Sequence, residues 1–129
     1  MVELNLLLVE DNPGDLLLLQ LVFEKIKDLK LKIQTTTRLS ESLEKLSKTK
    51  FDIALLDLNL PDSQGTESFT IISQKNPDLP IIIISGAEND IYAKKAVKLG
   101  AYKNLVKGKI TSQQLINSIK SAIINKTSR

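Results

Sequence analysis

Five polar side chains stand at the ends of apolar runs, where they could act on a shared ligand. Glu10 and Asp11 follow "LLLV", Asp57 closes "DIALLD", Ser85 closes "IIIIS", and Lys107 follows "NLV". The chain contains no histidine and no cysteine. The commonest general base and the thiolate ligand are therefore missing, and any chemistry must run on carboxylates, hydroxyls and lysines. If Glu10, Asp11 and Asp57 converge, their charges repel, and one lysine does not balance them. Mg²⁺ suits the remainder, because it is a hard ion that takes one or two carboxylates and keeps several waters. Such water-filled positions invite a phosphate. Lys107 and the Ser85 hydroxyl could then grip phosphoryl oxygens while a carboxylate attacks in line. Asp57 is the expected attacker, since it ends the run expected to be the most buried strand and so can be held rigidly.

The elements that must position these residues are legible as an alternation. Apolar runs of strand length cover 4–9, 31–35, 53–56, 81–84 and 105–106, and amphipathic stretches of helical length lie between them. That alternation predicts (βα) five times, an α/β chain with a parallel sheet. "IALL" and "IIII" are apolar throughout, as central strands covered on both faces must be. Asn12 and Pro13 predict an N-cap and first turn for a helix reaching about Lys27. Leu39, Leu43 and Leu46 mark a second helix. A third is expected around 66–75, although "SFTIIS" is rich in β-branched residues. In the fourth, Ala93, Ala96 and Val97 should face inward and Lys94, Lys95 and Lys98 outward, with Gly100 as its stop. Thr111 and Gln114 predict a capping box for the last helix, which should bury Leu115, Ile116, Ile119 and Ile123. For a sheet of order 2-1-3-4-5, ligands bind between strands one and three at the carboxyl ends, which would set Asp11 beside Asp57.

Length and composition narrow the class. A chain of 129 residues suffices for one domain with a real core. No apolar run approaches the ~20 residues needed to span a bilayer, and "MVELNLLLVED" lacks the basic region and cleavage site of a signal peptide. A cytoplasmic location is expected. Residues 1–65 carry eight basic and eleven acidic side chains, and residues 66–129 carry ten and four. Those lysines are scattered and aromatics are few, which points to a solvated basic surface and away from direct nucleic-acid binding.

The pieces "LLLVEDNPGD", "DIALLDLNLPDSQG", "IIIISGAEND" and "GAYKNLVKG" together resemble the receiver (CheY-like) domain of two-component response regulators, in that family's order and from end to end. The resemblance implies a doubly wound, flavodoxin-like (βα)5 fold with helices on both faces. It also implies that Asp57 accepts a phosphoryl group from a histidine kinase or phosphotransfer protein. Mg²⁺ would be held by Asp11, Asp57 and the backbone carbonyl of Asn59, with Glu10 supporting it through water. Ser85 would swing to the new phosphate and Lys107 would pair with it, reshaping the face made by the fourth helix, fifth strand and fifth helix.

Two positions depart from the family pattern. An aromatic commonly stands three residues before the lysine, and here that position is Asn104. Tyr102, two residues earlier, shares the strand face by alternation and is the candidate replacement in the switch. A proline in a cis bond often follows the lysine, whereas Gly108 follows it here. Plainer readings exist for each residue: Asp11 as a helix cap, Asp57 and Ser85 as turn residues, Lys107 as a solvated lysine. Asp15 and Asp62 read as helix-start and loop charges.

The expected whole is a single receiver over residues 1–129 that catalyses only its own phosphorylation and dephosphorylation. Output would pass to a downstream protein, one with an acidic surface if Lys94, Lys95, Lys98 and Lys109 form the contact. The rivals are a receiver-like docking module that takes no phosphate and a small phosphohydrolase with Asp57 as nucleophile. Haloacid-dehalogenase-like enzymes carry a second acid two residues on, where this chain has Asn59. A flavin-binding relative of the fold would want a Ser/Thr/Gly-rich cradle after the first strand, where this chain has acids.

Overall fold

The computed structural model describes residues 3–127. Within them β1 (Glu3–Val9), β2 (Lys30–Thr36), β3 (Ile53–Asp57), β4 (Ile81–Ser85) and β5 (Lys103–Val106) form one parallel sheet of order β2-β1-β3-β4-β5. The connections are α1 (Pro13–Glu24), α2 (Leu39–Lys48), α3 (Glu67–Lys75) and α4 (Ile91–Lys98), and α5 (Ser112–Thr127) follows β5. This is the doubly wound flavodoxin-like fold with strand order 2-1-3-4-5. Every residue of β3 and β4 is buried, which is why those runs lack polar alternation.

Alternation along the strands instead assigns side chains to two cores. Leu7, Val9, Leu56 and Ile83 face one way and pack with Leu39, Phe69, Ile72 and Ala96 from α2, α3 and α4. Leu6, Leu8, Leu55 and Ile84 face the other and pack with Leu19 and Phe23 of α1 and Leu115 and Ile119 of α5. Phe69 and Ile72 explain why the β-branched "SFTIIS" is helical: burial of one face outweighs weak propensity.

Local differences from the pattern have local causes. α1 ends at Glu24 and does not reach Lys27, because the amides of Lys25 and Ile26 bond three residues back to Val22 and Phe23. The tightened turn lets Ile26 enter the core from outside the helix. Val97, expected inside, is 36% exposed and lies on the outer face of α4, while Ala93 and Ala96 are fully buried. Ile123 is only partly buried, and Ala122 takes the inward position. Asn12 caps α1 by accepting from the Asp15 amide, and Thr111 caps α5 by accepting from the Gln114 amide at 3.1 Å.

α2 is capped from a distance. Arg38, at its N-cap, makes no side-chain cap bond. Asp62, from the loop after β3, accepts from the Leu39 and Ser40 amides at 2.7 and 3.0 Å. Burial would raise the Asp62 carboxyl, but these N–H bonds outweigh it and hold the group below its ordinary value. A residue that reads as a loop charge thus ties the β3–α3 loop to α2.

Candidate functional site

The sheet register brings the five chemical residues to one edge. Val9 pairs with Leu56, Asp57 with Ile84, and Ser85 with Val106, so all four of these strands end at one level. The next residues, Glu10 and Lys107, then fall beside Asp57, and the Lys107 amide bonds the Ser85 carbonyl at 2.7 Å.

Lys107 is the hub. Its Nζ lies 2.8 Å from Asp57 Oδ2, 2.9 Å from Asp15 Oδ2 and 2.9 Å from Glu10 Oε1. The contacts to Asp57 and Asp15 are aligned hydrogen bonds. The Glu10 contact is not aligned, and its Oε1 is a buried oxygen with no hydrogen-bond donor. Burial alone would lower the Lys107 ammonium, yet its three acidic partners outweigh burial and hold it above its ordinary range. For Glu10, burial and then the neighbouring Asp57 carboxylate raise the pKa to about 7, against the opposing pull of Lys107 and the Asn12 amide. Glu10 Oε2 accepts from that amide at 3.1 Å.

Asp15 is the site residue that sequence reasoning missed. It sits in the first turn of α1, 92 positions from Lys107, and its type and place are fully accounted for as a helix-start acid. Only the tertiary fold reveals its partner.

Asp11 and Asp57 line one cleft of about 500 Å³, together with Asn59, Ser85, Asp90 and Tyr92. The two acids are therefore on the same side of the molecule. Asp11 is exposed, and among the described residues its carboxylate takes no hydrogen bond or ion pair. Asp57 Oδ1 accepts from the Asn59 amide at 3.0 Å, which folds the backbone after β3 around the carboxylate. Among the described residues no group of three or more Asp, Glu, His or Cys side chains is placed to hold a metal ion. The protein thus offers at most two carboxylates plus backbone oxygen, the donor set Mg²⁺ accepts while keeping its waters. The residues present fit the ion.

The outer wall of the cleft includes the ring of Tyr92, packed on Gly65. Gly65 has φ +57, and a Cβ there would lie 3.3 Å from Tyr92 Cε1. A side chain at 65 would meet both backbone strain and the ring.

Ser85 and Asn104 meet directly, Oγ to Oδ1 at 2.7 Å. Ser85 Oγ also lies 3.0 Å from the Ala87 carbonyl, and Asn104 Nδ2 donates to that carbonyl at 3.3 Å. Tyr102 is elsewhere. It precedes β5, so strand alternation does not govern it, and it packs against the core shared with α1 and α5. The expectation that its ring replaces the missing aromatic beside Ser85 is corrected accordingly.

The arrangement can therefore neutralise and orient a phosphoryl group at Asp57, between an ammonium, a hydroxyl and an acid-lined cleft. Comparison with known proteins gives the family. The family model "Response regulator receiver domain" matches residues 6–120. The response regulator protein PilR of Pseudomonas aeruginosa is 31% identical over 101 residues, 78% of this chain and 22% of PilR. The protein-glutamate methylesterase/protein-glutamine glutaminase 2 of Methanospirillum hungatei is 36% identical over 101 residues, 76% of this chain and 28% of that protein. This chain thus spans about a quarter of the length of these curated relatives. In fold it matches the signal receiver domain of an HD domain-containing protein from Pseudomonas fluorescens, with TM-score 0.82, 21% identity, and 96% and 89% of the two chains covered. No helix among the described residues is long and apolar enough to cross a membrane. With its sheet order, its acid–lysine hub and its matched sequence, the chain belongs to the receiver domain family of two-component response regulators.

Proposed function

We propose that this receiver is a phosphorylation switch. Asp57 accepts a phosphoryl group from a phosphohistidine on a histidine kinase or phosphotransfer protein, and the signal leaves through protein contacts. A carboxylate oxygen of Asp57 attacks phosphorus in line; the new P–O bond forms as the P–N bond breaks, and its electron pair stays with the donor imidazole. Lys107, already 2.8 Å from Asp57, moves with the charge onto the phosphoryl oxygens. Ser85 donates its hydroxyl to another of them. Asp11, Asp57 and the Asn59 carbonyl would hold Mg²⁺, with Glu10 reaching it through water, and the ion would supply positive charge opposite the phosphoryl oxygens. No histidine of this chain is needed, since the donor brings it.

One observation carries the reading: an ammonium held by three acids pairs with Asp57, which lines one cleft together with Asp11, an acid without a partner among the described residues. We read residues 1–129 as one receiver unit that acts only on its own phosphate, in the cytoplasm where such donors work. Incubation with acetyl phosphate and Mg²⁺, followed by intact mass, should add one phosphoryl group, and Asp57→Asn should abolish the gain. No gain in the wild type would favour the docking-module reading. Multiple turnover on an exogenous phosphoester would favour the phosphohydrolase.

The output partner, in this reading, presents an acidic surface. Lys94, Lys95 and Lys98 on α4 and Lys109 after β5 are all exposed, and none is in an ion pair among the described residues. Exposed charges steer association more than they add affinity, so reversal of Lys94 and Lys98 to Glu should slow binding to the cognate partner and weaken its salt dependence. Unchanged association would remove the acidic-partner idea and leave the switch untouched.

A further inference from the structure

We infer that Asn104 is a positioning residue for phosphoryl transfer, acting by occupying the hydroxyl hydrogen of Ser85; the inference rests on the switch reading above. A serine hydroxyl has a single hydrogen to donate. Here Oγ faces two acceptors, Asn104 Oδ1 at 2.7 Å and the Ala87 carbonyl at 3.0 Å. The shorter contact takes the hydrogen, and Asn104 Nδ2 then serves the Ala87 carbonyl at 3.3 Å. With the amide turned over, Nδ2 would donate to Oγ and the hydroxyl hydrogen would go to Ala87. In either arrangement the hydrogen is spent inside the triad. Ser85 is 6% exposed, so water is a poor competitor for it.

A phosphoryl oxygen on Asp57 can therefore receive the Ser85 hydroxyl only if the triad opens. That has two consequences. The transfer step must break a short, partly buried hydrogen bond before Ser85 contributes, which slows it. Opening also removes the Ser85 contact from the Asn104 side chain and from the Ala87 carbonyl, which still accepts from the Asp90 amide at 3.3 Å. Ala87 lies in the loop leading to the Asp90 cap of α4, where Asp90 accepts from the Tyr92 and Ala93 amides. Phosphate at β3 is thereby tied to the start of α4 without an aromatic rotor on β5.

The test is the rate of phosphorylation by acetyl phosphate with Mg²⁺, read by intact mass on the full chain. It compares wild type, Asn104→Ala and Asn104→Leu, each with Ser85 and with Ser85→Ala. The leucine variant keeps the volume and loses only the polar atoms. Expected is an acceleration of about three- to tenfold for both Asn104 variants when Ser85 is present, the size of one hydrogen bond, because the hydroxyl then loses its 2.7 Å partner and keeps only the longer Ala87 contact at 3.0 Å. In the Ser85→Ala background the same substitutions should change the rate less than about twofold, because the hydroxyl whose hold they loosen is gone. Equal or slower rates with Ser85 present, or the same acceleration without it, would overturn the role of Asn104 alone. A wild type that takes up no phosphate would overturn it together with the switch reading.

Discussion

Lys107→Met is expected to lower the unfolding free energy by about 3 kcal/mol, to be read by urea denaturation without divalent ions. Among the described residues the ammonium is the only positive charge paired with Glu10, Asp15 and Asp57, and Glu10 and Asp57 are 0% and 4% exposed. Methionine keeps the apolar stem but leaves two buried carboxylates facing each other. Removing one partner of a buried ion pair costs more than the pair contributes, because the remaining charges have neither water nor a counter-ion. Surface lysines give a built-in control: Lys48, paired with Glu44 at 3.0 Å and mostly exposed, should lose little on the same substitution. The variant should also accept phosphate about a hundredfold more slowly, since a donor aimed at the developing charge is gone. A Lys107→Met protein as stable as wild type would mean that the acids do not depend on this cation.

Asp11→Asn should weaken Mg²⁺ binding by about 10–100-fold, followed by calorimetric titration, and leave the fold intact. The reasoning is the opposite of that for Lys107. Asp11 is exposed and has no partner among the described residues, so its carboxylate contributes nothing visible to the apo fold. Its charge adds to that of Glu10 and Asp57, and the substitution should make the metal-free protein equally stable or slightly more so. Loss of metal affinity without loss of stability marks a residue kept for a ligand. Unchanged Mg²⁺ affinity would remove Asp11 from the proposed set.

The parts of the fold that were legible share one property: their pattern is enforced by burial. "IALL" and "IIII" have no polar residue because both faces are covered, and the order of the strands follows from the family pattern those runs carry. The site was legible for a related reason. Glu10, Asp57, Ser85 and Lys107 each break an apolar run at a strand end, and the register then sets those ends side by side. What stayed hidden had an adequate local explanation. Asp15 is a good first-turn acid whether or not a lysine 92 residues away reaches it. Asp62 looks like a loop charge until α2, with no cap of its own, is placed against it. Val97 fits a helical stripe, but the stripe on α4 is narrow and the two alanines fill it. Asn104 was visible as a departure from the family pattern; that it engages Ser85 depends on pairing between β4 and β5, which no local pattern encodes.

The most direct measurement is a crystal of the protein soaked in Mn²⁺, which takes oxygen sites of the Mg²⁺ kind, with the ion located by its anomalous scattering. The account predicts one strong peak in the cleft, coordinated by Asp11, Asp57 and the Asn59 carbonyl, with the Lys107 ammonium still on Asp57. A peak at another set of acids, or an ion in the cleft that touches Asp57 without Asp11, would contradict it.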